Sequence, residues 1–224
     1  MSSEGASYRD GVRASLPIAA TVWFFGVSFG LLARTSGFGA LAPLVMSTTT
    51  FAGSAQFAAV SILGTSGGAA AAITAAVLLN GRYVPISISV ARLFHGPRLR
   101  RLAEAQLIVD ESWALSSRGD GRHDRGLLLG AGVVLYAAWV TGTAVGVVGG
   151  RALGDPEALG LDGAFPALFL ALLMPQLTTH RARVAALLGG AIALVLIPFT
   201  PAGVPIVAAS AACLIGLGSR GAAS

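Results

Sequence analysis

The chain has 224 residues, 54% apolar and 11% charged, with a formal charge of +5 and a mean hydropathy of +0.76. One soluble core of this length cannot hide so much apolar surface, so the composition is that of an integral membrane protein. All 15 basic residues are Arg, and those at 92, 98, 100, 101, 118, 122 and 125 crowd into one segment without interleaved aromatics, a pattern that excludes nucleic-acid binding and instead reports which side of a membrane faces the cytoplasm.

Residues 1–13 are polar. The apolar run Ala14–Ala33 that follows is 20 residues long and lacks a small-x-small cleavage site. It reads as the first span rather than a signal peptide, with Pro17 tolerated in its opening turn. Gly26 and Gly30 share a helix face and would admit a neighbouring helix; the alternative is that they merely reflect a chain with 30 glycines.

From Thr35 to Gly81 there are 47 residues without Asp, Glu, Lys, Arg or His. As helix this run would measure about 70 Å, roughly two crossings of a hydrocarbon core near 30 Å thick. Gly64-Thr-Ser-Gly-Gly68 divides it into a second span near 38–63 and a third near 67–90. Inside the second lies Phe51-Ala-Gly-Ser-Ala-Gln-Phe57. Gly53 and Ser54 would permit a break there, with Gln56 beside it as an uncharged donor and acceptor; the alternative is plain packing by Gly53, Ser54 and Ala55.

The segment from Arg92 to Arg125 changes character. Leu99, Leu102 and Ala103 stand at helical spacing opposite Arg100, Arg101 and Glu104, which suits a short helix in the headgroup region. Gly126–Gly150 is a charge-free fourth span, and Gly126 and Gly130, and then Gly142, Gly146 and Gly150, repeat at four-residue intervals on a packing face. Residues 151–162 form a net acidic loop, 163–179 a short fifth span, and Val184–Phe199 and Val204–Leu217 the sixth and seventh, joined by a proline-rich turn.

Together these give an all-α fold, a polytopic transmembrane helix bundle of about seven spans. With the Arg-rich segment, Arg181, Arg183, Arg34 and Arg220 on the cytoplasmic side, the N-terminus falls outside and the C-terminus inside. Gly39-Ala-Leu-Ala-Pro43 and Gly163-Ala-Phe-Pro166 open corresponding spans, which suggests a 3+3 inverted repeat plus one helix. The whole chain, 1–224, reads as one integral membrane domain with a first half at 15–91, a cytoplasmic connector at 92–125 and a second half at 126–219. The lone Cys213 excludes a disulfide within the chain, and His95, His123 and His180 have no ligand spacing, so no metal or cofactor is expected.

Phe51-Ala-Gly-Ser-Ala-Gln-Phe57, Asn80-Gly-Arg82, Val109-Asp-Glu-Ser-Trp113 and Phe165-Pro-Ala-Leu-Phe169, in this order and at these intervals, resemble the AzlC family, the large subunit of bacterial branched-chain amino acid exporters. The resemblance runs from Ser15-Leu-Pro17 to the last span. It implies a multi-pass protein of the bacterial cytoplasmic membrane that exports leucine, isoleucine, valine and sometimes methionine, paired with a small AzlD-type membrane subunit. Where the family has Asp or Asn before the x-Arg element, this chain has Asn80.

The residues themselves support a transport reading. An amino acid needs donors for its carboxylate, an acceptor for its ammonium and an apolar pocket, and interrupted helices offer free backbone groups for the purpose. Gly53, Ser54, Gln56, Asn80 and Arg82 are the candidate substrate-binding residues. Arg82 is the only charge between Arg34 and Arg92, and a charge within a span costs at least about 2.5–3.5 kcal/mol by insertion scales. It either snorkels from a helix end, contacts a substrate carboxylate, or pairs with Asp110 or Glu111. Those two acids point in different directions on a helix; one of them is a candidate proton-coupling group, or both are interfacial acids offsetting Arg100 and Arg101. No phosphate-loop motif is present, and catalytic groups do not converge. The leading expectation is a secondary transporter working by alternating access. The alternatives are the permease subunit of an ATP-driven transporter and a non-transporting membrane scaffold.

Overall fold

The structure is a computed structural model that describes residues 7–65, 67–118, 122–152, 170, 173–174, 177, 179–200 and 204–212. Every regular element among them is a helix, with one isolated antiparallel bridge between Ser117 and His123. The helices are α1 (Tyr8–Thr35), α2 (Leu41–Thr49), α3 (Gly53–Gly64), α4 (Ala69–Asn80), α5 (Tyr83–Val90), α6 (Arg98–Ala105), α7 (Asp110–Ser116), α8 (Arg125–Ala152), α9 (His180–Leu196) and α10 (Val204–Ser210). They fall into two compact units, one made of residues up to 57 and 79–152, the other of 58–78 and the residues from 153 onward.

The first unit is built on α1 and α8. Ser7 caps α1 by accepting from the Asp10 N–H at 3.3 Å, while the Asp10 carboxylate accepts from the Ser7 N–H at 2.9 Å, a reciprocal pair that starts the helix six residues before the expected Ala14. Pro17 therefore lies in the helix interior rather than its opening turn. At the head of α8, Asp124 accepts from the Leu127 N–H at 3.0 Å.

Glycines let these two helices touch backbone to backbone. A Cβ placed on Gly26 would stand 2.6 Å from the Trp139 carbonyl oxygen, one on Gly142 2.3 Å from that of Trp23, and one on Gly146 2.0 Å from that of Val27. The small-residue faces expected on the two spans are thus the two halves of one seam. Dispersion across so close a contact is what holds helices together where lipid offers no hydrophobic drive.

The seam also fixes direction. Tyr8 and Val12 lie beside Gly130, Gly26 beside Gly142, and Arg34 beside Gly150, so α1 and α8 run parallel. Residues 8–13 share a side with the start of α8, and Arg34 sits at the opposite end. This corrects the expectation of an N-terminus across the membrane from the Arg-rich segment. The expected second span, 38–63, is not one continuous helix but two short ones, α2 and α3, interrupted between Thr49 and Gly53. Arg34 meets part of its hydrogen-bonding need locally, donating to the Phe38 carbonyl at 2.7 Å.

Among the described residues, three helical stretches are long and apolar enough to cross a membrane: Tyr8–Thr35, Ala69–Leu93 and Arg125–Gly150. The second combines α4, α5 and a closing 3₁₀ turn at Ala91–Leu93. The connector is not a plain loop. Leu107 backs onto Gly132, so the α6–α7 junction packs against α8 seven residues from its start at Arg125. On α6, Leu99 and Leu102 remain 80% and 68% exposed, in keeping with a helix lying in the headgroup region.

In the second unit, Ile62, Ala72 and Ala75 form a small apolar cluster with Ala59 and Ala71. Thr179 caps α9 by accepting from the Ala182 N–H at 3.1 Å, and α9 packs on α10, with Gly189 facing the Ala209 carbonyl. The expected sixth span corresponds to α9, shifted towards the N-terminus by the Thr179 cap. Most of the fifth span and of the acidic loop, and the whole of the Phe165–Phe169 motif, the Gly163–Pro166 half of the repeat, Cys213 and Arg220, lie outside the described residues.

Candidate functional site

The central run is broken, but between Thr49 and Gly53; Gly53 and Ser54, expected to permit the break, are instead the first residues of α3. Continuous helix would separate the Cα atoms of Ser47 and Gln56 by about 13 Å. Instead the Gln56 amide donates to Ser47 Oγ at 3.2 Å, so the chain reverses between them. The reversal passes through Phe51, whose φ of 41° lies in the left-handed region, a conformation a bulky side chain rarely adopts. Phe51 is held there by burial and by an edge-on contact with Tyr136, ring centroids 5.2 Å apart.

A buried polar ladder fastens the break. The Ala52 N–H donates to Gln56 Oε1 at 3.1 Å, Gln56 donates to Ser47, Ser47 Oγ lies 2.9 Å from Thr143 Oγ1, and Thr143 donates to the Trp139 carbonyl at 2.9 Å. Gln56, Ser47 and Thr143 are each no more than 1% exposed. In such surroundings every polar atom needs a partner, which is why the ladder specifies one backbone path. The carbonyls that end α2 are met from outside: Gln106 donates to Thr48 and Thr49 at 3.2 and 2.9 Å, and the Tyr136 hydroxyl to Thr48 at 2.8 Å. At the other side of the break, no carbonyl of α3 can reach the N–H groups of Gly53, Ser54 and Ala55.

A second interruption follows at Gly81-Arg82, between α4 and α5. Pro85 causes it, because Pro85 has no N–H for the Gly81 carbonyl and its ring would crowd that oxygen in a continuous helix. Asn80, at the end of α4, has its Oδ1 buried without a hydrogen-bond partner. Arg82 turns its Nη2 to Asp110 Oδ2 at 2.9 Å and to Ser54 Oγ at 3.1 Å, with its guanidinium 5.3 Å from the Tyr83 ring centroid. Of the readings open from sequence, the ion pair with Asp110 is the one present.

Asp110 and Glu111 begin α7, which is positioned by the Ser112 hydroxyl: it accepts from the Val109 N–H at 3.0 Å and donates to the Leu107 carbonyl at 2.9 Å. Trp113 ties α7 to α5 by donating to Ser89 at 2.9 Å. Glu111 does not share the Asp110 contact. Partial removal from water raises its carboxyl above the ordinary range, the Asp110 charge adds to that, and Arg82 acts against it.

Beside the break lies a cavity of about 160 Å³, bordered by Thr50, Phe51 and Ala52, by Asn80, Tyr83 and Ser87, and by Ala105, Gln106 and Ile108. One water needs only ~10–15 Å³ on this measure, so the space suits a small solute. Of the candidate residues, Asn80 lines the cavity, Arg82 and Ser54 meet at its margin with Asp110, and Gly53 lies against Trp139, 3.1 Å from a Cβ position to the ring. Gln56 stands behind the break, where its amide holds the backbone. Sequence reasoning missed Ser47, Thr143, Tyr136 and Gln106. The hydroxyl run Ser47-Thr-Thr-Thr50 at the end of an apolar helix was a usable signal for the first; nothing marked Gln106.

Tyr136 and Trp139, which meet the break, lie near the middle of the Arg125–Gly150 span, about 17–21 Å from its ends. Broken helices and a polar-edged cavity beside membrane-length helices mark an integral membrane protein, with an arrangement of the kind transporters use. Residues 17–153 match the AzlC protein family. An uncharacterized membrane protein of Archaeoglobus fulgidus is 34% identical over 94% of both chains. The branched-chain amino acid transport protein AzlC of Bacillus subtilis is 27% identical over 82% of this chain and 73% of its own, and the inner membrane protein YgaZ of Escherichia coli 27% over 84% and 81%. No solved structure matches the chain. The chain belongs to the AzlC family and is a membrane transport protein.

Proposed function

We propose that the protein is a secondary transporter that exports branched-chain and related hydrophobic amino acids across the bacterial cytoplasmic membrane by alternating access, with a small AzlD-type subunit as partner. The observation that carries this is the cavity at the helix break. Its wall combines apolar surface from Phe51, Ala52 and Ile108 with the unpartnered Asn80 Oδ1, and Arg82 and the first N–H groups of α3 stand at its margin. That is the donor, acceptor and apolar set an aliphatic amino acid requires. The name of the Bacillus relative supports the substrate class.

Gln56 and Gly53 serve as positioning residues in this reading, the one pinning the turn and the other making room for Trp139. Asp110 is tied to Arg82, which leaves Glu111, its carboxyl raised, as the group that exchanges protons in gradient coupling. The Arg-rich segment and residues 8–13 face the cytoplasm, as does the C-terminus.

Proteoliposomes loaded with labelled leucine test the proposal. Efflux driven by an imposed proton gradient, with this chain and its small partner together, is the expected result. Efflux that requires ATP would instead indicate a permease subunit, and no movement of leucine, isoleucine or valine under any gradient would leave only a scaffold.

A further inference from the structure

We propose that the Arg82–Asp110 pair is a two-sided clamp for a zwitterion: the pair parts, Arg82 takes the α-carboxylate and Asp110 the α-ammonium of the substrate. This rests on the transport reading and adds how the site tells an amino acid from a molecule bearing only one of its charges.

The geometry of the pair carries the inference. Arg82 Nη2 is shared between Asp110 Oδ2 at 2.9 Å and Ser54 Oγ at 3.1 Å, and the two charged side chains are 42% and 43% exposed. A pair this open is weakly held and can be parted. Each partner is within two residues of a cavity wall: Arg82 adjoins Tyr83, Asp110 follows Ile108 by two, and Ser54 follows Ala52 by two. The surroundings are already sorted by sign. On the Arg82 side lie the Ser54 hydroxyl and the first turn of α3, the positive end of its dipole. On the Asp110 side lies Glu111, and the Asn80 Oδ1 in the cavity wall is a further acceptor. Tyr83, against the guanidinium, is the remaining titratable neighbour.

Parting the pair leaves each charge without its protein partner. A zwitterion supplies the complement of both, so neither remains unpaired. An amine or a carboxylic acid alone would satisfy one and strand the other, and that penalty is the source of discrimination. On release the pair closes again, and the empty protein returns with both charges paired.

The test is binding to purified protein, with its small subunit, of leucine, of 4-methylpentanoate (leucine without the amine) and of 3-methylbutylamine (leucine without the carboxylate). The unsubstituted protein is expected to bind leucine at least tenfold more tightly than either analogue. Asp110→Asn should shift the preference towards 4-methylpentanoate, and Arg82→Gln towards 3-methylbutylamine, each by about tenfold and in opposite senses. Equal binding of leucine and either analogue by the unsubstituted protein overturns the clamp without recourse to variants, as do variant ratios that stay fixed or move together. Where a neutral variant does not fold, Arg82→Lys and Asp110→Glu keep the charges, and leucine affinity should fall with the analogue ratios retained; collapse of those ratios overturns the clamp. Leucine binding with the wrong ratios sinks this inference alone, whereas no binding of any branched-chain amino acid sinks the transport reading and the clamp with it.

Discussion

The Gln56 side chain reaches back nine positions to Ser47, 3.2 Å from its hydroxyl, and closes the turn that interrupts the central apolar run. The same amide takes the Ala52 N–H, so one side chain serves both strands of the reversal. Replacing it with an apolar residue of similar size leaves the Ala52 N–H without that acceptor inside the protein. A stranded buried group costs about 1–3 kcal/mol. Gln56→Leu is therefore expected to lower the melting temperature in detergent, and Gln56→Asn, one methylene too short to meet both partners, should not restore it. An unshifted transition in both would mean the ladder does not hold the turn.

Substitutions along the α1–α8 seam should separate sharply by position. A Cβ on Gly146 would stand 2.0 Å from the Val27 carbonyl oxygen, a backbone atom that cannot swing away, whereas one on Gly149 meets nothing within 4 Å. Gly146→Ala is expected to cost more than the ~1–3 kcal/mol of ordinary overpacking, because the whole of α1 must move. Gly149→Ala should be neutral or stabilising by up to ~1 kcal/mol through helix propensity. Size-exclusion profiles and thermal unfolding of the two purified variants provide the comparison.

How much of this was legible in the chain follows from what each feature depends on. The glycine spacing on Ala14–Ala33 and Gly126–Gly150 announced close-packed faces because a missing side chain is visible in one dimension. The polar insert Phe51–Phe57 announced an interruption for the same reason. Direction was not legible: 38–63 reads as a single span in the sequence, and the turn between α2 and α3 shows only in the contact of Gln56 with Ser47, nine residues earlier. Arg82 was flagged by being a lone charge, but its choice of Asp110 over Glu111 depends on how Ser112 sets the first turn of α7. Gln106 carried no signal, since an amide in a mixed segment looks like any surface residue until its partners on α2 are known.

Glu104 gives the fold a pH dependence at the connector. Partial burial alone would raise its carboxyl, but the Arg100 hydrogen bond and the Arg125 and Arg100 charges outweigh that and hold it below the ordinary range. A carboxyl lowered on folding stabilises the fold above its unfolded value, near 4.3, and that contribution is lost as pH falls through the lower folded value. The melting temperature should therefore drop below about pH 4, and Glu104→Gln should flatten that acid limb while lowering the plateau above it. Melting curves between pH 3 and 7 read both effects, and an acid limb of equal steepness in the variant would assign it elsewhere.

Gln106 links the connector to the cavity, because its amide donates to the Thr48 and Thr49 carbonyls while its neighbours Ala105 and Ile108 form part of the cavity wall. Thr48 keeps a second donor in Tyr136, but Thr49 has Gln106 alone among the described side chains. Removing the amide therefore loosens the α6–α7 junction from the end of α2 without unmaking the break, which the buried ladder holds separately. In a Cys213→Ser background, a cysteine at Ser87 on the opposite wall should react slowly with a water-soluble thiol reagent when Gln106 is intact. Gln106→Ala should speed that reaction several-fold with little change in melting temperature. Equal labelling rates with and without the amide would show that the junction does not close the cavity.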